Sequence, residues 1–364
     1  MPSDRQHMVA ILRLDHIGDL VLTGPFLVEL RAAYPASHII LVVSTTNADL
    51  ARRLSVVDEV LTVPDRRTRW FGRTRQAFDR YRLERQLRSR QIDVMIVPRW
   101  DVDHYGALKV LRSLQAPVRV GFAEADKRYR RSALTRVVGA PAAEHEALKA
   151  LRLLPQADHR DWSQLEHPLW YAAEDARAAD RLLASAEGPL IVFGIGADEA
   201  RKVWPAERFA RSAVVLCEAF GAVAVIVGGP ADRAAAARFA VIAPDSINLV
   251  GATSLPVAAA VIARAALFVG NDAGPMHLAA AARVPIVEIR CHPQSGQAEH
   301  RYSSARFGPQ PGPAVTLQPA VPEAGCSDWC SALEAHCILA TSVEDVVAAG
   351  TRLLWAVPGL QGGQ

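Results

Sequence analysis

Short apolar runs rich in Val and Ile alternate with amphipathic helical patterns along the whole chain. This alternation is typical of parallel sheets that are covered by helices on both faces. In the first half, the predicted strands are 9–14, 38–44, 59–64, 93–98 and 118–122, and the predicted helices are 25–34, 74–90, 105–114 and 144–154.

A polar stretch at 155–167 separates this half from a second series of the same kind, which opens with a short helix at 172–186. Its predicted strands are 189–195, 222–228, 247–250, 266–271 and 285–289, and its predicted helices are 205–220, 230–243, 255–264, 275–282 and 343–355. The segment 291–324 is rich in Pro and Gly, which predicts an irregular loop.

These patterns predict an α/β protein with two Rossmann-like, doubly wound domains, at 1–165 and 172–342, followed by a C-terminal helix and tail at 343–364. Ligands of such sheets bind at the carboxyl ends of the strands, so we expect a site in a cleft between the domains.

The chain has no apolar run near the roughly 20 residues that span a bilayer, and its amino terminus lacks a secretory signal. The five cysteines do not have the even number and regular spacing of a disulfide framework, so we expect reduced thiols. We expect a cytoplasmic protein.

The charge of the chain is unevenly distributed. Residues 1–157 contain 26 Lys and Arg against 17 Asp and Glu, a net +9, so the total of +3 leaves −6 for the remainder. This excess is either a solvated, arginine-rich face or a surface for an anionic partner, such as a phosphorylated glycan or a lipid headgroup. Nucleic acid is disfavoured, because few aromatic residues accompany the arginines.

The first candidate segment is the turn at 14–20, directly after the first predicted strand. Gly18 permits a tight turn, and Asp19 would stand beside the start of the next helix. Its carboxylate can cap that helix, or it can act as a general base toward a hydroxyl within hydrogen-bond reach. Asp15 and His16 are further candidates, and spacing alone leaves these roles open.

The second candidate segment follows the strand at 189–195. Gly194 and Gly196 would let a backbone approach a phosphate, and the cations of the next loop, Arg201 and Lys202, can neutralise a leaving pyrophosphate. The third glycine of the dinucleotide-binding fingerprint is absent, so an ordinary turn between strand and helix is the alternative.

The third candidate segment, 270–278, has the most ordered pattern. Asp272 comes at a strand end, Gly274 removes a side chain, and His277 lies in the first turn of a helix whose N–H groups favour an anion. The alternative is a capped helix with a hydrogen-bonded histidine.

A fourth candidate group consists of Cys326, Cys330 and Cys337 with His336. These side chains can bind a tetrahedral metal ion in a structural role. Their spacing is not a standard zinc pattern, and free cysteines are the alternative.

Taken together and in this order, these segments resemble glycosyltransferase family 9, the heptosyltransferases of lipopolysaccharide core assembly and their relatives. The segments that carry the resemblance are 11–25, 30–35, 202–209, 227–230, 249–255 and 270–281, and the last of them reads GNDAGPMHLAAA. The resemblance implies a GT-B fold and an inverting, metal-independent transfer of heptose from ADP-heptose. The implied acceptor is a hydroxyl of a glycan or of a lipopolysaccharide core, reached by peripheral contact with an anionic membrane surface.

The resemblance also implies roles for individual residues. Asp19 matches the catalytic base, and Lys202 matches a lysine that binds the donor phosphates. The other implied donor-site residues are Thr253, near the nucleobase, and Asp272, Ala273, Gly274 and His277, which hold the sugar and pyrophosphate. Many members have Thr or Ser where Ala273 stands, and 290–293 replaces a Phe-Gly-Pro turn. These departures concern the donor sugar and leave the reaction class unchanged.

Two alternatives to this function follow from the same residues. A glycosyltransferase of this fold can modify a protein or a natural product, and in that version the three clustered cysteines hold a structural iron or zinc ion. A nucleotide-binding protein without transferase activity is the other alternative, and such a protein would have no need of Asp19.

Overall fold

The computed structural model describes residues 6–64, 73–127, 133–155 and 165–357, with the backbone alone for 73–77. The chain divides into two compact units, Met1–Pro168 and Leu169–Gln364, and each unit has its own six-stranded sheet. Most of the predicted polar stretch at 155–167 lies outside the described residues.

The first unit is an α/β unit with a parallel sheet. Its strands are β1 (Met8–Arg13), β2 (His38–Ser44), β3 (Glu59–Val63), β4 (Val94–Val97), β5 (Val118–Phe122) and β6 (Arg136–Val138). Its helices are α1 (Ile17–Leu22), α2 (Gly24–Ala33), α3 (Ala48–Ala51), α4 (Arg73–Arg88), α5 (Ala107–Leu114), α6 (Ala123–Asp126) and α7 (Glu146–Leu151). The strand order is β3-β2-β1-β4-β5-β6, so the chain reverses its direction of travel across the sheet between β1 and β4.

The second unit repeats this plan. Its strands are β7 (Leu190–Gly194), β8 (Val223–Val227), β9 (Ile247–Asn248), β10 (Leu267–Asn271), β11 (Ile286–Ile289) and β12 (Ala314–Leu317). Its helices are α8 (Ala173–Leu182), α9 (Ala206–Phe220), α10 (Arg233–Ile242), α11 (Leu255–Ile262), α12 (Gly274–Ala281), α13 (Ser304–Phe307) and α14 (Val343–Trp355). The order β12-β11-β10-β7-β8-β9 places the reversal between β7 and β10.

The central strands of both sheets are buried on both faces. Every residue of β7 and β10 is buried, and so are five of the six residues of β1. Strands buried on both faces are nearly continuous apolar runs, which explains why β1 and β7 are easy to recognise in the sequence. The predicted α/β class with two doubly wound sheets is confirmed, and β2 and β5 have the predicted bounds.

The prediction of an irregular loop over 291–324 is wrong in part, because this segment contains α13 and the edge strand β12. Strand β12 has four residues, of which one is exposed and three are half-buried, so it lacks the continuous apolar run of a central strand. It is a strand because it pairs in parallel with β11, from Ala314 opposite Ile286 to Leu317 opposite Ile289. The short elements α1 and β6 are likewise absent from the sequence prediction. Within the described ranges, no helix is long and apolar enough to span a bilayer.

Candidate active site

The reversal point of the first sheet carries an arginine with two aspartates. Arg13 ends β1 in a buried position, where its Nη2 lies 3.0 Å from Asp19 Oδ1 and its Nη1 lies 3.5 Å from Asp15 Oδ2. Arg13 also donates to the carbonyl oxygen of Pro98, at 2.7 Å. The other Asp19 oxygen accepts from the backbone N–H of His16 at 3.2 Å. The Asp19 carboxylate is therefore held at both oxygens, while 19% of its side chain stays exposed.

The environment changes the pKa values of these two carboxyl groups in opposite directions. Burial raises the pKa of Asp19 above its ordinary value, although the Arg13 guanidinium opposes this effect. Burial acts on Asp15 in the same sense, but Arg13 and Arg99 together outweigh it, so the pKa of Asp15 is lowered. A raised pKa makes Asp19 the better proton acceptor of the two at neutral pH.

The adjacent strand β4 supplies side chains to the same turn. Arg99 follows β4, and its Nη1 lies 2.7 Å from Asp15 Oδ2. The ring of Tyr105 lies under the Arg99 guanidinium, with 5.3 Å to the ring centroid, and its hydroxyl is 2.8 Å from His16 Nε2. Arg13, Arg99 and Tyr105 belong to this site, although the sequence analysis did not name them as site residues.

The reversal point of the second sheet carries an ion-pair group around Asp272. Lys202 Nζ lies 3.1 Å from Asp272 Oδ2, and Arg290 Nη2 lies 3.1 Å from Asp272 Oδ1. The structure therefore brings together two of the predicted donor residues, Lys202 and Asp272. Burial raises the pKa of an isolated carboxyl group, but the two cations hold the pKa of Asp272 below its ordinary value.

The buried residue Asn271 ties the Lys202 loop to the strand beside it. Asn271 Oδ1 accepts from the backbone N–H of Trp204 at 3.0 Å, and Asn271 Nδ2 donates to the carbonyl oxygen of Ile195 at 3.1 Å. Trp204 is fully buried, and its ring N–H donates to the carbonyl oxygen of Thr341 at 3.1 Å. The backbone of the Lys202 loop is thus fixed at Trp204, two residues after Lys202.

His277 lies in the first turns of α12 and is 5% exposed. Burial, with help from Arg290 and Lys202, lowers the pKa of His277 to about 4, and Asp272 opposes that shift. The imidazole is neutral at physiological pH, so it can offer one N–H to a phosphate but no full charge. Its Nδ1 atom is buried and has no hydrogen-bond partner among the described residues.

The structure describes the other predicted donor residues, of which Ala273 and Gly274 directly follow Asp272. Ala273 is the residue before α12, and Gly274 is the first residue of that helix. A Cβ on Gly194 would lie 2.6 Å from the Phe268 ring, and one on Gly196 would lie 2.3 Å from Asp232 Oδ2, so packing also favours glycine at these two positions. Thr253 is half-buried in the loop between β9 and α11, and the described contacts do not join it to Lys202 or Asp272.

A fully buried arginine connects the donor group to the segment after β11. Arg290 is paired with Glu288, and it donates to the carbonyl oxygens of Tyr302 at 2.7 Å and of Phe307 at 3.1 Å. The Tyr302 ring lies 4.8 Å from Lys202 Nζ, and its hydroxyl donates to Glu199 at 2.6 Å. Arg290 was not predicted as a site residue, although its place directly after β11 was a signal that could have revealed it.

The predicted cysteine group forms a compact set of four ligands. The side-chain ligand atoms of Cys326, Cys330, His336 and Cys337 all lie within 4.8 Å of one another. The sequence alone does not place this group near the donor residues. In the structure, Arg201, which is next to Lys202, donates to the carbonyl oxygen of Cys330 at 3.2 Å.

The sequence matches the family described as glycosyltransferase family 9 (heptosyltransferase) over residues 80–290, more than half of the chain. The chain belongs to glycosyltransferase family 9. No curated protein matches its sequence significantly. Membership makes the chain a glycosyltransferase and favours this function over that of a nucleotide-binding protein without transferase activity.

Solved structures of family members share the fold. The family 9 glycosyltransferase of Veillonella parvula DSM 2008 is 23% identical, with a TM-score of 0.76, over 96% of this chain and 98% of that one. The ADP-heptose lps heptosyltransferase II of E. coli is 20% identical, with a TM-score of 0.74, over 96% and 99%. E. coli heptosyltransferase WaaC, solved with ADP-2-deoxy-2-fluoro heptose, is 20% identical, with a TM-score of 0.65, over 86% and 94%. The predicted GT-B fold is confirmed.

Proposed function

We propose that this glycosyltransferase transfers heptose from ADP-heptose to a hydroxyl of a glycan or lipopolysaccharide-core acceptor, with inversion at the anomeric carbon. The observation that carries the proposal is the Lys202 ammonium group, held 3.1 Å from Asp272 beside the start of α12. A cation next to a helix N-terminus stabilises the charge that builds up on a departing diphosphate. The choice of ADP-heptose is supported by the E. coli relatives, which act on or were solved with ADP-linked heptose.

In the proposed reaction, Asp19 accepts the proton of the acceptor hydroxyl while that oxygen forms a bond to the anomeric carbon. The bond from this carbon to the β-phosphate oxygen breaks at the same time, and ADP leaves with the electron pair. Lys202 compensates the new charge, and the neutral His277 offers an N–H to the diphosphate. These protein groups supply the charge compensation in our scheme, so we place no metal ion at the reacting atoms.

We further propose that the four-ligand group formed by Cys326, Cys330, His336 and Cys337 holds one structural Zn²⁺ or Fe²⁺ ion. Four protein ligands leave no open position for a substrate, which is typical of structural rather than catalytic sites. We also propose that the acceptor is reached by peripheral contact of the basic first unit with an anionic membrane surface.

Calorimetric titration with ADP, GDP, UDP and dTDP tests the donor assignment. We expect ADP to bind most tightly, and we expect Lys202→Met to raise the ADP Kd by about 10- to 100-fold, since a charge-assisted hydrogen bond is lost. The matched control is Lys127→Met, which removes an exposed lysine of the other unit and should leave the ADP Kd unchanged. Tighter binding of another diphosphate would refute ADP as the donor nucleotide, and an unchanged Kd in Lys202→Met would refute the donor site.

A further inference from the structure

We infer that a metal ion bound by Cys326, Cys330, His336 and Cys337 orders the loop that carries Lys202, so that metal loading controls the affinity for the donor diphosphate. This inference rests on the proposed function, because it assigns a regulator to the proposed donor site. Two connections between the ligand group and this loop support the inference, and they lie on either side of Lys202.

The ligand set suits a thiophilic divalent ion. His336 Nδ1 lies 3.5 Å from Cys326 Sγ and 3.4 Å from Cys337 Sγ, and Cys330 and Cys337 are buried. Neighbouring ligands of a tetrahedral zinc ion with bonds of about 2.3 Å are about 3.8 Å apart, so the group needs only small shifts to bind one. Three thiolates, a neutral imidazole and a divalent ion sum to one net negative charge.

That net charge lies beside the guanidinium group of Arg201. Arg201 Nη1 donates to the carbonyl oxygen of Cys330 at 3.2 Å, and the Arg201 guanidinium lies 5.5 Å from the centroid of the Trp329 ring. Arg201 also pairs with Glu199, the carboxylate that accepts from the Tyr302 hydroxyl. Metal loading therefore strengthens the attraction on Arg201, and Arg201 is the neighbour of Lys202 in the chain.

The second connection starts at the last ligand. Cys337 is the first residue of the 3₁₀ helix Cys337–Ala340, and the next residue is Thr341. The carbonyl oxygen of Thr341 accepts from the Trp204 ring N–H at 3.1 Å and from Arg208 Nη1 at 2.9 Å. Side chains on both sides of Lys202 thus bind the segment that contains the ligands, so loss of the ion loosens both anchors.

The test combines metal removal with a variant of Arg201. Wild type, Cys326→Ser, Arg201→Met and the control Cys217→Ser are compared, the last because Cys217 lies in α9 and outside the ligand set. Metal per chain is measured by mass spectrometry, and the ADP Kd by calorimetry, before and after chelation and after readdition of Zn²⁺ or Fe²⁺. Readdition restores the wild type if chelation has not unfolded it, which separates loss of the ion from loss of the fold.

We expect about one ion per chain in wild type, Arg201→Met and Cys217→Ser, and little in Cys326→Ser. Chelation should weaken ADP binding about tenfold in wild type, reversibly, and clearly less in Arg201→Met, because one of the two connections is already cut. Wild type without bound metal, or an equal effect of chelation in wild type and Arg201→Met, would overturn the inference while ADP binding stands. Failure of the metal-loaded wild type to bind ADP would overturn the proposed donor site and this inference with it.

Discussion

Asp15 and Asp19 lie in one turn, yet their surroundings give them different chemistry. Asp15 is enclosed by Arg13 and Arg99, which lower its pKa, whereas burial raises the pKa of Asp19. Two titratable groups whose pKa values are separated by their environment often mark an acid or base and its supporting partner. In the proposed reaction, Asp15 stays ionised and fixes the arginines, and Asp19 accepts the proton.

Replacing Asp19 with Asn removes the proton acceptor while it keeps the size of the side chain. We expect kcat to fall by about 10²- to 10⁴-fold, the usual contribution of a general base, with an unchanged ADP Kd. Steady-state kinetics and calorimetry measure the two quantities, and Asp49→Asn, with a side chain that is 65% exposed, is the control. Transfer by Asp19→Asn at a rate close to that of the wild type would remove Asp19 from this role.

The pH dependence of kcat/KM is a second test of the role of Asp19. Protonated Asp19 cannot accept a proton, so wild-type kcat/KM should fall as the pH decreases through the raised pKa of Asp19. The residual activity of Asp19→Asn should lack this acidic limb.

Single residues differ in how far the sequence reveals them. Asp19, Lys202, Asp272 and His277 could be predicted because each lies in a short ordered motif, although their roles remain proposals. Arg99 could not, because it acts on Asp15 from 84 positions away. Ion pairs of this kind depend on which strands are neighbours in the sheet and not on the spacing of residues along the sequence.

At the level of elements, Asn271 joins the end of β10 to the loop before α9. Its side chain satisfies the buried N–H of Trp204 and the carbonyl oxygen of Ile195 at once. Asn271→Ala should destabilise the second unit by about 2–4 kcal/mol, because two buried polar groups lose their partner. It should also weaken ADP binding, since the Lys202 loop is no longer fixed.

Urea unfolding and hydrogen exchange of the second unit measure this loss. Asn248→Ala is the matched control, because the exposed Asn248 makes a local hydrogen bond with the N–H of Val250. The control should cost well under half as much stability. An Asn271→Ala protein as stable as the control would show that the loop is held by other contacts.

The elements also show where sequence patterns fail. Central strands such as β7 were predicted because burial on both faces makes them continuously apolar. The edge strand β12 was missed because its side chains are only half-buried, and its place is set by pairing with β11. The structure adds a packing reason for Gly194 and Gly196, and their contact with a phosphate stays a prediction.

At the scale of the whole molecule, the two halves of the sequence form sheets of the same strand order but carry opposite net charge. Residues 1–157 have a net charge of +9, and the remainder has −6. The helix α4 concentrates this difference, because four of its described arginines are exposed together with two aromatic side chains. These residues are Phe78, Arg80, Tyr81, Arg82, Arg85 and Arg88.

Exposed aromatic side chains among arginines suit the interface of an anionic bilayer, where the rings insert and the guanidinium groups meet lipid phosphates. We expect the protein to sediment with vesicles that contain phosphatidylglycerol, and not with pure phosphatidylcholine vesicles, and we expect high salt to release it. The double variant Phe78→Ser, Tyr81→Ser should bind at least about tenfold more weakly, because two rings that are 63% and 55% exposed lose their burial in lipid. Val241→Ser removes a side chain that is 83% exposed on the second unit and should change nothing. Equal loss in both variants, or binding that ignores lipid charge, would contradict a membrane contact through α4.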